Sequence, residues 1–341
     1  MGWSTESILG ATIEMLNASK STKLAPTSRM DPLSHLVTLL DPRGRMDLHC
    51  LFGAAFAAPH DAIGPWRAPF HVVLRGECEL WLPEGDRTIA LRPGSLLVLP
   101  RGSAHTLRAQ ASRVGARIRT HEGPLVDLKT NVRDPARADI EILCGEFEFR
   151  GRRRSALLEA LPDCLVVEFA ERPEFGWLQG LLRMMAHEIA QQDAGAAAIV
   201  AELSGAVFTL AVRAHLETVP AQAGVLGVMA NARLAPALSA MLASPGEPWT
   251  VESLAARCHL SRAAFARLFA QHARTGPLEL LTSLRMELAS RLLAQGEQDT
   301  ASIGEAVGYR SEAAFNRAFA RHAGMTPGRF RRGERATASP V

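Results

Sequence analysis

Two arginines, Arg267 and Arg317, hold the same place in two copies of one segment, and their chemistry is that of a nucleic-acid groove. Ser261–Pro277 reads SRAAFARLFAQHARTGP and Ser311–Pro327 reads SEAAFNRAFARHAGMTP; ten of the seventeen positions are identical and the copies lie 50 residues apart. In each copy two phenylalanines four residues apart, Phe265 and Phe269 or Phe315 and Phe319, mark one buried helix face. The arginine between them in sequence points away from that face. Its forked guanidinium is then free to meet a base edge or a phosphate. The neighbouring outward positions differ: Arg262 and Ala266 in the first copy, Glu312 and Asn316 in the second. Because Arg pairs with guanine and Asn with adenine, the two copies are expected to read unlike sequences. One copy alone would be equally well explained as a solvated, salt-bridged helix face. Two copies that share a frame and vary their outward residues favour groove reading.

The surrounding elements must brace these helices. Thr250 caps a helix over 251–258, with Ser253 as a second cap; residues 258–260 turn, and Ser261 caps a helix to about His272. Leu280, Leu281, Leu284, Leu288 and Leu292 mark one long helix after the Gly276-Pro277 stop. Thr300 or Ser302 starts a short helix ending at Gly308, and Ser311 caps the next, which stops near Gly324 and Pro327. Each half is a helix, a short turn and a second helix, the arrangement whose second helix enters the major groove. A rigid connecting helix would set the two at successive grooves, roughly 34 Å apart. Arg257, Arg274, Arg285, Arg310, Arg321, Arg329, Arg331 and Arg332 are the candidates for phosphate contacts, which position a protein without specifying sequence. Two copies are too few for a solenoid.

Charge supports a polyanionic partner. The net charge is only +3 over 341 residues, but residues 248–341 hold 13 arginines and no lysine against 8 acidic residues. That third carries +5 and the remainder −2. The five cysteines, at 50, 78, 144, 164 and 258, form no CxxC pair and no disulfide framework. With no uninterrupted apolar run of membrane-spanning length and no cleavage pattern, the expectation is a cytoplasmic protein that engages no membrane.

Residues 1–29 read as a polar, flexible leader. From Phe70 to about Ala109 short strand candidates (70–75, 77–82, 88–91, 95–99 and 105–108) are punctuated by Gly and Pro turns, and 140–149 and 164–169 would complete the set. After Pro173 the text turns Leu-, Ala- and Met-rich at helical spacing over 177–191, 196–219 and 222–242. The expected fold is α+β. A β-barrel of jelly-roll type (31–172) leads through a helical linker or dimerisation region (173–243) and a short linker (244–248) to an all-α domain (249–335) with two helix-turn-helix units and a tail (336–341).

The stretches SLAARCHLSRAAFARLF and IGEAVGYRSEAAFNRAFARHAGMTPGRFR resemble the DNA-binding domain of AraC/XylS-family transcription regulators. The resemblance implies base-reading positions at Arg262, Ala263, Ala266 and Arg267, then Glu312, Ala313, Asn316 and Arg317. It also implies double-stranded DNA and RNA polymerase as partners, activation as the usual outcome, and no enzymatic activity. FHVVLRGECELWLPEG and LRPGSLLVLPRGSAHTL are similar to the cupin-like sensory domain of a subset of that family, from about Asp31 through the middle helices.

In enzymatic cupins such strands hold a metal through histidines and a glutamate. Here His71 and His105 match two of those places, and Pro69 stands where the first His of the usual His-x-His would be. Glu77 is a weak third ligand, and His60, His49, Cys50 and Cys144 would enlarge the set if the fold gathers them. Such a mixture favours Zn or Cu. The alternative is histidines that satisfy polar groups in the sheet, with no cofactor. The overall likeness is to the oxidant-responsive, reactive-chlorine branch, which implies a redox sensor at Cys50 with Cys144 as partner. Rival readings are a metabolite or metal sensor, and a cupin metalloenzyme fused to a DNA-binding module. The apolar faces of the middle helices imply either core packing or a homodimer.

Overall fold

The structure is a computed structural model that describes residues 30–64, 66–109, 117–149, 155–170, 172–219 and 223–338; the leader and the extreme tail lie outside the described residues. The chain opens with helix α1 (Pro32–Leu40), whose Asp31 side chain accepts from Ser34 N, and ends it at Asp41 in the left-handed region. Eleven strands follow: β1 (Pro42–Phe52), β2 (Ala57–His60), β3 (Arg67–Arg75), β4 (Cys78–Leu82), β5 (Arg87–Leu91), β6 (Ser95–Val98), β7 (His105–Arg108), β8 (Arg119–His121), β9 (Asp127–Thr130), β10 (Ile140–Phe149) and β11 (Leu165–Glu168). Helix α2 (Ala156–Ala160) stands between β10 and β11.

These strands make two open sheets, ordered β11-β6-β3-β10-β1-β9-β8 and β2-β7-β4-β5. The expected closed jelly-roll barrel is therefore corrected: among the described residues no ladder joins the edge strands of one sheet to those of the other. The strands of the smaller sheet span only four or five residues before a turn, and helices rather than further strands cover the outer face of the larger sheet.

The larger sheet is covered on both faces around β3 and β6, which explains why these two strands read as near-continuous apolar runs, whereas its far edge at β8 is exposed. Ala68, Phe70 and Val72 of β3 face the helices, while His71 and Val73 face the smaller sheet. On β10, Leu143, Phe147 and Phe149 take the helical side; Ile140, Ile142 and Cys144 take the other. Strand β1 changes face part-way. Met46 lies in the helical core, but Cys50 and Phe52 lie between the sheets, because a bulge between Met46 and Leu48 shifts the phase. Gly145 makes this crossing possible, since a Cβ there would meet the Arg45 carbonyl and, at 2.7 Å, the Phe70 ring.

The middle section is α3 (Gly176–Gln191), α4 (Ala196–Thr218), α5 (Gly224–Ala230) and α6 (Ala235–Ala243). By length and composition α4 could cross a membrane. Val207, Phe208, Ala211 and Val212 are instead buried in a core shared with β1 and α3. The C-terminal section is α7 (Val251–Arg257), α8 (Arg262–Ala273), α9 (Pro277–Gln295), α10 (Thr300–Ala306), α11 (Glu312–Ala323) and α12 (Pro327–Ala338). Thr250 and Ser253 form a reciprocal capping box at α7. Ser261 and Ser311 cap α8 and α11 as expected, whereas Asp299, not Thr300 or Ser302, caps α10. The first helix-turn-helix shares a core with the sensory sheet; the second has its own, built on Met286, Ile303, Phe315, Phe319 and Phe330.

Candidate nucleic-acid interface and sensory site

In both helix-turn-helix units the phenylalanine pairs are fully buried and the arginines between them are exposed. Arg262, Ala263 and Arg267 on α8, and Glu312, Ala313 and Arg317 on α11, face outward; Ala266 and Asn316 are half-buried. The Asn316 Oδ1 atom is buried without a partner, and Arg262 pairs with Glu252 at 2.8 Å on the surface. Two of the expected phosphate contacts are engaged within the protein. Arg285 donates from Nε to the Pro245 carbonyl and from Nη2 to that of Glu247, both at 2.7 Å, and Arg331 donates to the Gln298 carbonyl at 2.6 Å. Arg285 thus braces the segment leading into α7. Arg310 and Arg321 remain exposed, and the Arg257 guanidinium lies 5.5 Å from the Trp249 ring centre.

Between the two sheets His60, His71 and His105 converge, with one nitrogen of each within 4.8 Å of the others. β2 and β7 place His60 directly opposite His105, their rings stacked at 4.7 Å, and β3 brings His71 in from the facing sheet. A carbonyl only accepts, so the bonds from His60 Nδ1 to Ala58 O (3.1 Å) and from His105 Nδ1 to Ser103 O (2.9 Å) place a proton on each Nδ1. Each Nε2 is left with a lone pair. That of His105 lies 2.8 Å from His71 Nε2, while His60 Nε2 and His71 Nδ1 are buried with no partner.

Burial holds all three imidazoles neutral: the pKa of His60 falls to about 3, that of His71 well below the usual value, and that of His105 below it. Like-charge neighbours, including Lys129, add to the effect at His60 and His71. Neutral imidazoles oriented by backbone carbonyls are the form in which histidine binds Zn or Cu, so the donor set and the unpartnered His60 Nε2 fit such an ion. Glu77 is exposed in the β3–β4 turn, and His49 is bonded to Glu141 at 2.9 Å; neither belongs to the cluster.

Cys50 and Cys144 lie on adjacent central strands, not beside strand edges, with their sulfurs 3.6 Å apart. Cys144 is the register partner of His71, so the thiols share the inter-sheet space with the imidazoles. Both are closed off, at 2% and 3% exposure, and the hydrogen bond shared with Cys50, together with burial, raises the Cys144 thiol well above its usual pKa. Burial likewise pushes Cys78 up to about 12 and Cys164 to about 11.

Residues 31–217 match the family described as Cupin, and residues 254–333 match the helix-turn-helix domain. The chain is 33% identical to the RCS-specific HTH-type transcriptional activator RclR of Escherichia coli K12, over 91% of this chain and 100% of that protein. It belongs to the AraC/XylS-type transcription regulators that carry a cupin sensory region. A second relative, the HTH-type transcriptional regulator AlkR of Acinetobacter baylyi, is 30% identical over 68% of this chain and 77% of its own length. Among solved structures, the DNA-binding domain of AdpA in complex with a target DNA is 31% identical, covering 32% of this chain and 97% of that one at a TM-score of 0.31. As in this family, the helix-turn-helix units of this AraC-type chain are its DNA-binding part, and the relatives named above are transcription regulators. What the sequence left open was the histidine set. His60 had no neighbouring histidine to mark it, and only the pairing of β2 with β7 brings it to His105.

Proposed function

We propose that this DNA-binding regulator takes its input from a soft metal ion, Zn(II) or Cu(I), at His60, His71 and His105, and passes it to two recognition helices that hold promoter DNA in successive major grooves. The convergence of three neutral imidazoles, two of them oriented through Nδ1 by backbone carbonyls, carries this reading. A bound ion would supply a fixed positive charge and a tie between the two sheets. The chain's own part is to keep the imidazoles unprotonated and to exclude competing carboxylate ligands. The regulator works as a cytoplasmic homodimer through the exposed Trp177, Met184 and Ile199 of α3 and α4, and activates transcription by contact with RNA polymerase.

Competition of Zn(II) or Cu(I) against a chromophoric chelator tests the site. His71→Ala should weaken binding about 100-fold while leaving the far-ultraviolet spectrum unchanged. Equal affinity in both proteins, or DNA binding that is the same with metal and with chelator, would remove the metal as the input.

A second reading is favoured by the 3.6 Å separation of the Cys50 and Cys144 sulfurs. An oxidant of the class for which RclR is RCS-specific would take two electrons from the dithiol, which would release two protons and form one S–S bond. Loss of the DNA response to hypochlorite in Cys50→Ala, with metal binding intact, would select this reading.

A further inference from the structure

Glu287 is the one buried carboxylate among the described residues, 8% exposed. It lies on α9, the helix that joins the two helix-turn-helix units, and its partner belongs to the sensory half. Glu287 Oε1 accepts from the backbone N–H of Ala156 at 2.7 Å, and the Ser155 side chain bonds to the same carboxyl. Ala156 is the first residue of α2, which follows β10 in the chain, and Cys144, the register partner of His71, lies on that strand.

The two faces of α9 serve different bodies. Leu280, Leu281 and Leu284 are buried in the core that runs through the sensory sheet and the first helix-turn-helix, and Glu287 continues that stripe by one turn. Met286, Ala289 and Leu293, on the other side, belong to the core of the second unit. A shift of α2 relative to α9 would therefore move the second recognition helix with respect to the first.

The interface has room for such a shift. A cavity of about 670 Å³ opens beside Ala156, lined also by His215, Thr275, Glu279 and Ser283, so the sensory half and the first unit are not close-packed along this edge. An apolar residue at 287 would be the cheaper way to bury this position, because a buried carboxylate adds stability only when every lone pair is met. What the carboxylate supplies instead is direction: its bonds to Ser155 and Ala156 fix the start of α2 against one turn of α9.

We propose that Glu287 is the coupling residue between the two halves, and that displacement of β10 and α2 by the sensory site reaches the DNA-binding arms through its bond to Ala156. The claim holds whichever chemistry the sensory site takes, since it concerns the path and not the signal. It requires that DNA held by the arms be felt at α2, because coupling between two sites is reciprocal.

The test is hydrogen–deuterium exchange on the full chain with and without a duplex carrying its own upstream region. In the unaltered chain, DNA should change the exchange of the peptide covering residues 140–160 at least fivefold. Glu287→Gln keeps an acceptor oxygen and should retain the change. Glu287→Leu removes the acceptor, and Ala156→Pro removes the donor at a first helical position where proline fits; both should abolish it. Because neither residue lies on a recognition helix, DNA affinity should stay within threefold, and a collapse of affinity would instead mark a folding role and overturn the assignment. No DNA-dependent change in the unaltered chain, or its survival in both Glu287→Leu and Ala156→Pro, would also overturn it. If one variant fails to fold, the other decides.

Discussion

His71 and Cys144 face one another directly across β3 and β10, so an imidazole of the candidate metal cluster and a thiol of the candidate redox pair occupy one closed space. Their shared burial sets a kinetic expectation. Alkylating reagents must wait for the sheets to part, so Cys50 and Cys144 in the native protein should label at least about 100-fold more slowly than in the urea-unfolded chain. Mass-spectrometric labelling at pH 8 measures this. Rates within tenfold of the unfolded chain would mean that the inter-sheet space is open to solvent.

Arg317 and Arg285 should fail in different ways. Arg317 is exposed on the recognition helix, and Arg317→Ala should lower specific DNA affinity by about 1–3 kcal/mol with little effect on melting. Arg285 holds the Pro245 and Glu247 carbonyls, so Arg285→Ala should cost about 1–3 kcal/mol of stability and leave base discrimination unchanged. Binding isotherms against specific and scrambled duplexes, paired with thermal melts, separate the two. Interchanged effects would refute the assignment of Arg285 as a brace.

The second helix-turn-helix has a core of its own, in which Phe319 stacks edge-on against Phe330 at 5.5 Å and lies 5.8 Å from Phe315. Phe319→Ala should cost that unit about 3–5 kcal/mol. Because the first unit shares its core with the sensory half, calorimetry should show the second unit melting early while the rest keeps its transition. A uniform downward shift of a single transition would show instead that the two cores melt as one.

The repeat made the C-terminal third legible because every local signal agreed: a serine cap, a phenylalanine pair and a glycine or proline stop all pointed to one helix. The capping bonds that the Ser261 and Ser311 hydroxyls accept from Ala264 N and Ala314 N follow that pattern. Strand β1 was not legible. Its charged residues at 43, 45 and 47 and the histidine at 49 look like a solvated segment, and the bulge near Asp47 breaks the alternation by which a half-buried strand is recognised. The histidine cluster was half legible for a related reason. His71 and His105 sit in well-marked strands, but β2, which carries His60, has four residues and one of them is proline. Closure into a barrel was expected because short strands and frequent turns describe both a closed and an open arrangement. Ladder pairing between distant strands distinguishes them, and it leaves no local mark.

The two turns of the repeated unit differ at one equivalent place. The residue after the C-cap of α7 is His259, with φ +53°, and that after the C-cap of α10 is Gly308, with φ +85°. A side chain in the left-handed region costs roughly 1 kcal/mol that glycine avoids. His259→Gly should therefore stabilise the first unit by about 0.5–1 kcal/mol in chemical denaturation. A loss of stability would mean that the imidazole makes a compensating contact in solution.

Glu287 should make the docking of the two halves depend on pH. Burial is the main cause that raises its pKa from 4.5 to about 7, and the nearby Glu159 carboxylate pushes in the same direction, against the bonds from Ala156 and Ser155. An acid whose pKa is raised in the docked state binds more protons there than when freed, so docking weakens as pH rises above about 4.5 and levels off past about 7. The full swing corresponds to roughly 3 kcal/mol. Glu287→Gln keeps the acceptor for Ala156 and removes the titration. It should leave stability at pH 5 nearly unchanged, raise it at pH 8, and flatten the profile between. Denaturation of the full chain at half-unit pH intervals measures this, with hydrogen exchange at Ala156 as the local reading. A variant whose profile still fell between pH 5 and 7.5 as steeply as that of the unaltered chain would place the titrating group elsewhere, with Asp47, raised to about 6 by burial in the β1 bulge, the first alternative to substitute.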